Sequence, residues 1–322
     1  MIRLATTALC VLAAMPAGAA TLSDYTSFYA FGDSLSDDGK LALPPPSLGG
    51  RWTNDLTWAE RVARDFAVSG NLALGGATAE ADNENLYPAE ARPLATLAGQ
   101  VAAFLASDPV AAAGSNPLVS IFIGANDIFQ DAGEADFSIA AIGDSVAAAI
   151  RDLSAGGPFD DFVLSLLPVP DAAPGFNALA TAYNDYLFGL VPGLEADGID
   201  VVVNDLASLT ARIAADPLAY DITQPGTCAP RFLPPPPDSE NCTYVGTVDG
   251  VPRYDLTRAD AYYLVDPVHP SGTVHRLWAR QFAAAVAADP GPAPVPLPAT
   301  GLLLLGGLGA LALRRRRGAA QA

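Results

Sequence analysis

Five short strand-like runs fix most of what this chain can become: Phe28–Phe31, Ala67–Leu74, Leu118–Ile123, Phe162–Leu167 and Ile199–Val203. Each has the length of a strand, and between them lie stretches with apolar residues at helical spacing, such as Leu97, Val101 and Phe104. The run Leu118–Ile123 is almost wholly apolar and β-branched, as a central parallel strand covered on both faces requires. Strand and helix alternate without internal repeats, which predicts an α/β fold, a three-layer α/β/α sandwich around a parallel central sheet. In such sheets chemistry gathers at the C-terminal ends of the strands.

The residues at those ends carry the functional signal. The first run breaks at Gly32 and presents Asp33-Ser34-Leu35, so Ser34 stands where a nucleophile belongs. A serine hydroxyl needs a base, an orienting acid and oxyanion donors. Asp266-Pro267-Val268-His269 sets a carboxylate three residues before an imidazole, a spacing that lets one loop bring Asp266 to Nδ1 of His269. Gly75-Gly76 follows the second run and Gly124-Ala125-Asn126-Asp127 follows the third. A glycine allows backbone to approach substrate closely, and an asparagine amide is a neutral donor for developing negative charge. The G-x-S-x-G elbow of α/β-hydrolases is absent from the chain, so a different serine-hydrolase architecture is expected.

These four blocks, in this order from Tyr25 to Ala288, resemble the SGNH/GDSL family of serine esterases and lipases. The resemblance implies a flavodoxin-like sandwich with Ser34 as nucleophile, His269 as general base and then acid, and Asp266 as its orienting carboxylate. It implies an oxyanion hole made by the backbone N–H of Ser34, the backbone N–H of Gly76 and the side-chain amide of Asn126. It implies no metal and no cofactor. Gly49-Gly50-Arg51-Trp52-Thr53-Asn54 and Trp58 are similar to the secreted GDSL lipase branch.

Other residues have simpler readings. Asn54 or Asp55 is expected to cap a helix with Trp58, Val62 and Phe66 on its inner face; Trp58 reads as core, and Arg51 and Trp52 as better candidates for lining the cleft. Asp127 is expected to brace its turn. A second Gly-Asp-Ser, Gly143-Asp144-Ser145, lies within an alanine-rich helical pattern without a preceding strand and reads as structural. His275, the other histidine, falls inside the final helix and suits packing or hydrogen bonding.

The ends and the charge place the protein. Met1 to Ala20 has Arg3, an apolar centre and Ala17-Gly18-Ala19, the pattern of a secretory signal peptide. Residues 21–289 are then the hydrolase domain, 290–298 a proline-rich linker, and 299–317 an apolar segment closing on Arg314 to Arg317. The apolar stretch is short of the roughly 20 residues that usually cross a bilayer. The tail with Val295-Pro296-Leu297-Pro298-Ala299 resembles the PEP-CTERM class of sorting signals, which implies a Gram-negative host, processing by an exosortase-type enzyme, and membrane attachment before processing; a plain membrane anchor is the alternative. Arg3 and Arg314 to Arg317 take five of the 17 basic residues, leaving 12 against the 35 acids between Asp24 and Asp289, a net charge of −23 for the body. Such a surface repels nucleic acid. Cys228 and Cys242 bracket a stretch containing Pro234 to Pro237; in an exported chain they are expected to form a disulfide stapling a lid or surface loop, since no histidine lies near to complete a zinc site.

The expected activity is therefore hydrolysis of carboxylic esters, on a small-molecule or lipid substrate, through an acyl-enzyme. The rivals are a carbohydrate acetylesterase or acyltransferase acting on surface polysaccharide, and a catalytically silent surface binding module.

Overall fold

A computed structural model describes residues 20–40, 50–80, 89, 91–169, 174–224, 226–229, 242, 244–248 and 251–289. The signal segment 1–19, the loop 41–49, most of the polar loop 82–93, the proline run 234–237 and the tail 290–322 lie outside the described residues.

The strands are β1 (Ser27–Gly32), β2 (Ser69–Asn71), β3 (Pro117–Phe122), β4 (Asp161–Ser165) and β5 (Asp200–Asn204). They form one sheet in the order β2-β1-β3-β4-β5, and every pairing is parallel. This is the expected three-layer α/β architecture. The order reverses direction at β1, which has the sequence-adjacent β2 on one side and β3 on the other. The two crossovers leaving β1 and β2 therefore open a crevice above the carboxyl ends of β1 and β3.

The helices are α1 (Trp58–Ala63), α2 (Leu97–Ala106), α3 (Val110–Ala113), α4 (Ala125–Asp131), α5 (Ile139–Gly156), α6 (Pro174–Ala196), α7 (Leu206–Ala215) and α8 (Gly272–Ala288). On one face of the sheet an aromatic cluster joins Phe28 and Phe122 to Trp58, Phe282 and Trp278 of α1 and α8. On the other, Tyr29 and Phe31 pack edge-on or tilted against Phe104 of α2. Side chains alternate across the sheet, so consecutive residues of β1 feed both layers.

Three local expectations are corrected. The cap of α1 is Thr57, whose hydroxyl accepts from the Glu60 amide while the Glu60 carboxylate accepts from the Thr57 amide. Asn54 and Asp55 lie upstream because this reciprocal box satisfies two donors at once. The second strand is shorter than 67–74, although Leu72 and Leu74 still donate to Ala30 and Gly32 of β1. The region between Tyr220 and Arg258 also holds regular structure, an antiparallel pair of β6 (Tyr244–Val248) and β7 (Val251–Tyr254). Among the described residues no helix is long and apolar enough to cross a membrane.

At the amino end of the sheet, far from the crevice, the starts of β4 and β5 bring acids together. Burial, with Asp200, Asp160 and Asp289 nearby, raises the Asp161 carboxyl to about 6. Burial and Asp289 likewise raise Asp200. Carboxyls whose pKa is raised on folding favour the fold below the ordinary carboxylate range, and that contribution is lost as pH rises through about 6. Asp161→Asn should therefore raise the melting temperature at pH 7.5 by about 2–4 °C, corresponding to about 1 kcal/mol, and flatten the decline between pH 5 and 7.5. Calorimetry of both proteins across that range is the check.

Candidate active site

β1 delivers its last residue flush against its neighbour. A Cβ on Gly32 would lie 2.2 Å from the Phe122 carbonyl oxygen, so only glycine lets β1 and β3 run side by side to their ends. The buried Gln100 of α2 clasps this point, accepting from the Gly32 N–H at 2.9 Å and donating to its carbonyl at 2.8 Å. The chain then turns, with the amides of Ser36 and Asp37 donating to the Asp33 carbonyl, and Ser34 emerges at the crevice.

Ser34 meets the imidazole there. His269 Nε2 lies 3.0 Å from Ser34 Oγ, and His269 Nδ1 lies 2.7 Å from Asp266 Oδ2. The other Asp266 oxygen accepts from the amides of Val268 (2.9 Å) and His269 (2.7 Å). The loop thus fixes its carboxylate with its own backbone and leaves Oδ2 for the ring. Burial works against the Asp266 charge, yet the His269 ring and these amides hold its carboxyl below the usual carboxylate range. An acid kept ionised beside Nδ1 selects the tautomer with the proton on Nδ1 and leaves Nε2 to accept from serine.

The candidate oxyanion donors Gly76 and Asn126 lie on segments that bond to each other. Gly76 sits in a turn at φ +84°, a conformation that favours glycine. Three side chains hold this turn. Asp37 accepts from the Gly75 amide at 2.8 Å, Asn126 Nδ2 donates to the Ala77 carbonyl at 2.9 Å, and Asp127 accepts from the amides of Ala79 and Glu80, both at 2.9 Å. One N–H of Asn126 is thereby committed and the amide's second N–H remains as a donor. Asp127, expected to brace its own turn after β3, instead holds this turn, 47 and 48 residues away in sequence; the part played by Asp37 was not read from the sequence, where it is one acid among many.

Not every candidate joins the site. Arg51 forms a bidentate pair with Glu60, at 2.7 and 2.6 Å, so its guanidinium is committed to the start of α1. Trp52 does reach the site: its ring lies over His269 with centroids 4.8 Å apart. Trp58 is core, with its amide donating to His275 Nδ1 at 3.1 Å. Burial, with Arg61 and His269 nearby, holds the His275 pKa down at about 3, so it is a neutral packing group. Gly143-Asp144-Ser145 lies within α5, where Asp144 accepts from the Tyr186 hydroxyl. Asp33 is an addition. Its Oδ1 accepts from the Leu35 amide, its Oδ2 is buried without a partner, and burial raises its carboxyl to about 7.

Cys228 and Cys242 form a disulfide with Cα atoms 4.9 Å apart. Both are buried in a second small core with Ala229, Tyr254, Leu256, Ala259, Tyr262 and Val265. The amides of Cys228 and Ala229 donate to the carbonyls of Leu264 and Val265, just ahead of Asp266. The cysteines are therefore an underpinning of the Asp266–His269 loop; the residues between them that would form a lid lie outside the described residues. Among the described residues no group of three or more His, Cys, Asp or Glu is placed to hold a metal ion.

The family model described as GDSL-like Lipase/Acylhydrolase matches residues 28–282, and the chain belongs to that family. A curated relative, phosphatidylcholine-sterol acyltransferase of Aeromonas hydrophila, is 25% identical over 238 residues, which cover 67% of this chain and 65% of the relative. The chain thus spans less than two thirds of that protein's length. Among solved structures, the acetylxylan esterase Axe2 of Geobacillus stearothermophilus is 12% identical, with a TM-score of 0.45 and coverage of 87% of this chain and all of that one. A lipolytic protein of the G-D-S-L family from Veillonella parvula is 14% identical, with a TM-score of 0.42 and coverage of 80% and 95%.

The disulfide closes a short loop, with a sequence separation of 14. Breaking it with Cys228→Ser and Cys242→Ser together should lower unfolding free energy by about 3 kcal/mol. Urea titration of the variant against the oxidised protein measures the difference.

Proposed function

We propose that this protein is an exported serine hydrolase that cleaves carboxylic esters through an acyl-enzyme. The observation that carries the reading is the continuous relay from Asp266 through His269 to Ser34 at the crevice, with contacts of 2.7 and 3.0 Å.

In this reading His269 Nε2 takes the Ser34 proton as Oγ attacks the ester carbonyl. Asp266 holds Nδ1–H and stabilises the imidazolium that forms. The tetrahedral oxyanion is received by the N–H groups of Ser34 and Gly76 and by the Asn126 amide. As the intermediate collapses, the alcohol leaves with the proton from His269 and the acyl group remains on Ser34. Water then enters, gives its proton to His269 and releases the acid by the same steps in reverse. Because Asp266 is ionised and the ring spans both partners, the Ser34 proton moves to His269 along an existing hydrogen bond.

A second reading differs only in the last step. An alcohol in place of water would make the enzyme an acyltransferase, and the sterol acyltransferase among its relatives favours keeping that outcome in view. The signal segment supports export, and the tail after residue 289 supports sorting and processing by an exosortase-type enzyme at a Gram-negative cell surface. The body's net charge of −23 is consistent with a role that does not involve nucleic acid.

A p-nitrophenyl ester series from acetate to palmitate, run with and without an added alcohol acceptor, tests the assignment. Ser34→Ala should abolish turnover while leaving the circular dichroism spectrum intact. Asn126→Ala should lower kcat by about 10²–10³, the typical effect of removing one oxyanion donor. Full turnover by Ser34→Ala would remove the mechanism. Preference for acetate would favour deacetylation, and preference for long chains a lipase role.

A further inference from the structure

The segment from Arg51 to Asn54 is anchored at both ends and inside. Arg51 is pinned to Glu60 at 2.7 and 2.6 Å. Thr53 is fully buried. Asn54 accepts from the Gly272 amide at 2.9 Å and donates to Asp260 at 3.2 Å, which ties the segment to the start of α8, three residues after His269. Between these anchors the Trp52 ring lies over the His269 ring, with planes 36° apart and centroids at 4.8 Å. Its other edge backs onto the oxyanion turn, since a Cβ on Gly75 would fall 2.1 Å from Trp52 Nε1.

Trp52 Nε1 is buried and has no hydrogen-bond partner. A buried indole N–H ordinarily finds an acceptor. Here the ring forgoes one while lying over the imidazole. Packing on both sides, not hydrogen bonding, sets its orientation, and what it gains is contact between its π face and His269.

We propose that Trp52 is a positioning residue for His269, and that its indole face stabilises the imidazolium formed when His269 takes the Ser34 proton. This rests on the serine-hydrolase reading. A cation within about 6 Å of an indole centroid is attracted by the ring quadrupole, and tryptophan is the strongest aromatic partner. The attraction exists only while the imidazole is charged. It therefore acts on the transition state and the tetrahedral intermediate and leaves the ground state little changed, which makes its signature a change in kcat and not in KM.

The other groups facing the ring are Asp266 at Nδ1 and Ser34 at Nε2, with the buried Asp33 carboxyl and His275 acting on it through space. All stay in place when Trp52 alone is changed. Differences between variants then report the indole.

The test compares wild type, Trp52→Leu and Trp52→Phe. Leucine keeps an apolar cover without a π face, and phenylalanine keeps a weaker one. Trp52→Leu should lose about tenfold in kcat with KM within about twofold, and Trp52→Phe should recover most of the loss. Proton NMR supplies a readout independent of turnover. The chain has only two histidines, and burial holds His275 at about 3, so any imidazole signal that moves with pH well above that value belongs to His269. Its midpoint should move toward acid by roughly one unit in Trp52→Leu, because the charged form has lost its partner. A covering role alone would leave the midpoint in place or raise it as water reaches the ring, and either result overturns the proposal. So does a rise in KM with kcat unchanged. If wild type shows no activity dependent on Ser34, the hydrolase reading falls, and the NMR midpoint still decides whether the indole stabilises the charged ring.

Discussion

The whole site depends on β1 and β3 running in register to their last residues. Ser27 pairs with Pro117 and Gly32 with Phe122, so the chain leaves both strands at one level. Ser34 follows two residues after Gly32 and Asn126 four after Phe122, which sets nucleophile and amide donor on either side of the crevice. A larger residue at Gly32 would meet the Phe122 carbonyl and wedge the strands apart. The Gln100 clasp on both polar groups of Gly32 then locks α2 to the strand end that carries the serine. Catalytic geometry is thus an outcome of backbone pairing before any catalytic side chain is considered.

Around that crevice the fold buries four carboxyls, and it treats them differently. Asp37, Asp127 and Asp266 each accept two or more backbone amides, and they use them to fix the nucleophile loop, the oxyanion turn and the His269 loop. Asp33, immediately before the nucleophile, has one amide and a bare buried oxygen, and burial lifts it to about 7. Asp127, with two amides, is lifted by burial to about 6. Asp266, with two amides and the imidazole, is lowered. The sequence of these three follows the number and charge of the donors supplied, with burial similar throughout. Of these three, the one held below the usual carboxylate range is the one the relay uses.

The parallel sheet was legible because β1, β3, β4 and β5 are short, mostly apolar runs between helical patterns, whereas β2 is the polar Ser69-Gly70-Asn71; the position of Ser34 was legible because an apolar run ends at Gly32. The approach of Asp266 and His269 to Ser34 was legible from their three-residue spacing together with the strand-end logic. Less legible were features that depend on partners distant in sequence. The reach of Asp37 to Gly75 and of Asn54 to Gly272 leaves no local periodicity. Arg51 read as a cleft-lining candidate because its partner Glu60 lies nine residues on, in the capping box of α1. The β6–β7 hairpin did have a signal, the Asp249-Gly250 pair between two strand-like runs. It was obscured by the prolines and cysteines just before it, which suggested an irregular loop.

The nucleophile and its base rest on different foundations. Ser34 is fixed by the central sheet and the main core, whereas Asp266 and His269 ride on a loop underpinned by the disulfide core. A contact of 3.0 Å between Ser34 and His269 would be vulnerable to small shifts between the two unless something joins them directly. The segment 51–60 provides that joint. Its α1 half packs Trp58 against Phe28 and Phe122 of the sheet, its Asn54 holds the amide that starts α8, and the Trp58 amide holds His275 within α8. Trp52 lies between the imidazole and the oxyanion turn, touching both. Trp52 and Asn54 together turn two separately stabilised pieces of chain into one reaction centre, which explains why this segment is cross-bonded, with Thr53 and Thr57 buried, although it has no regular secondary structure before α1.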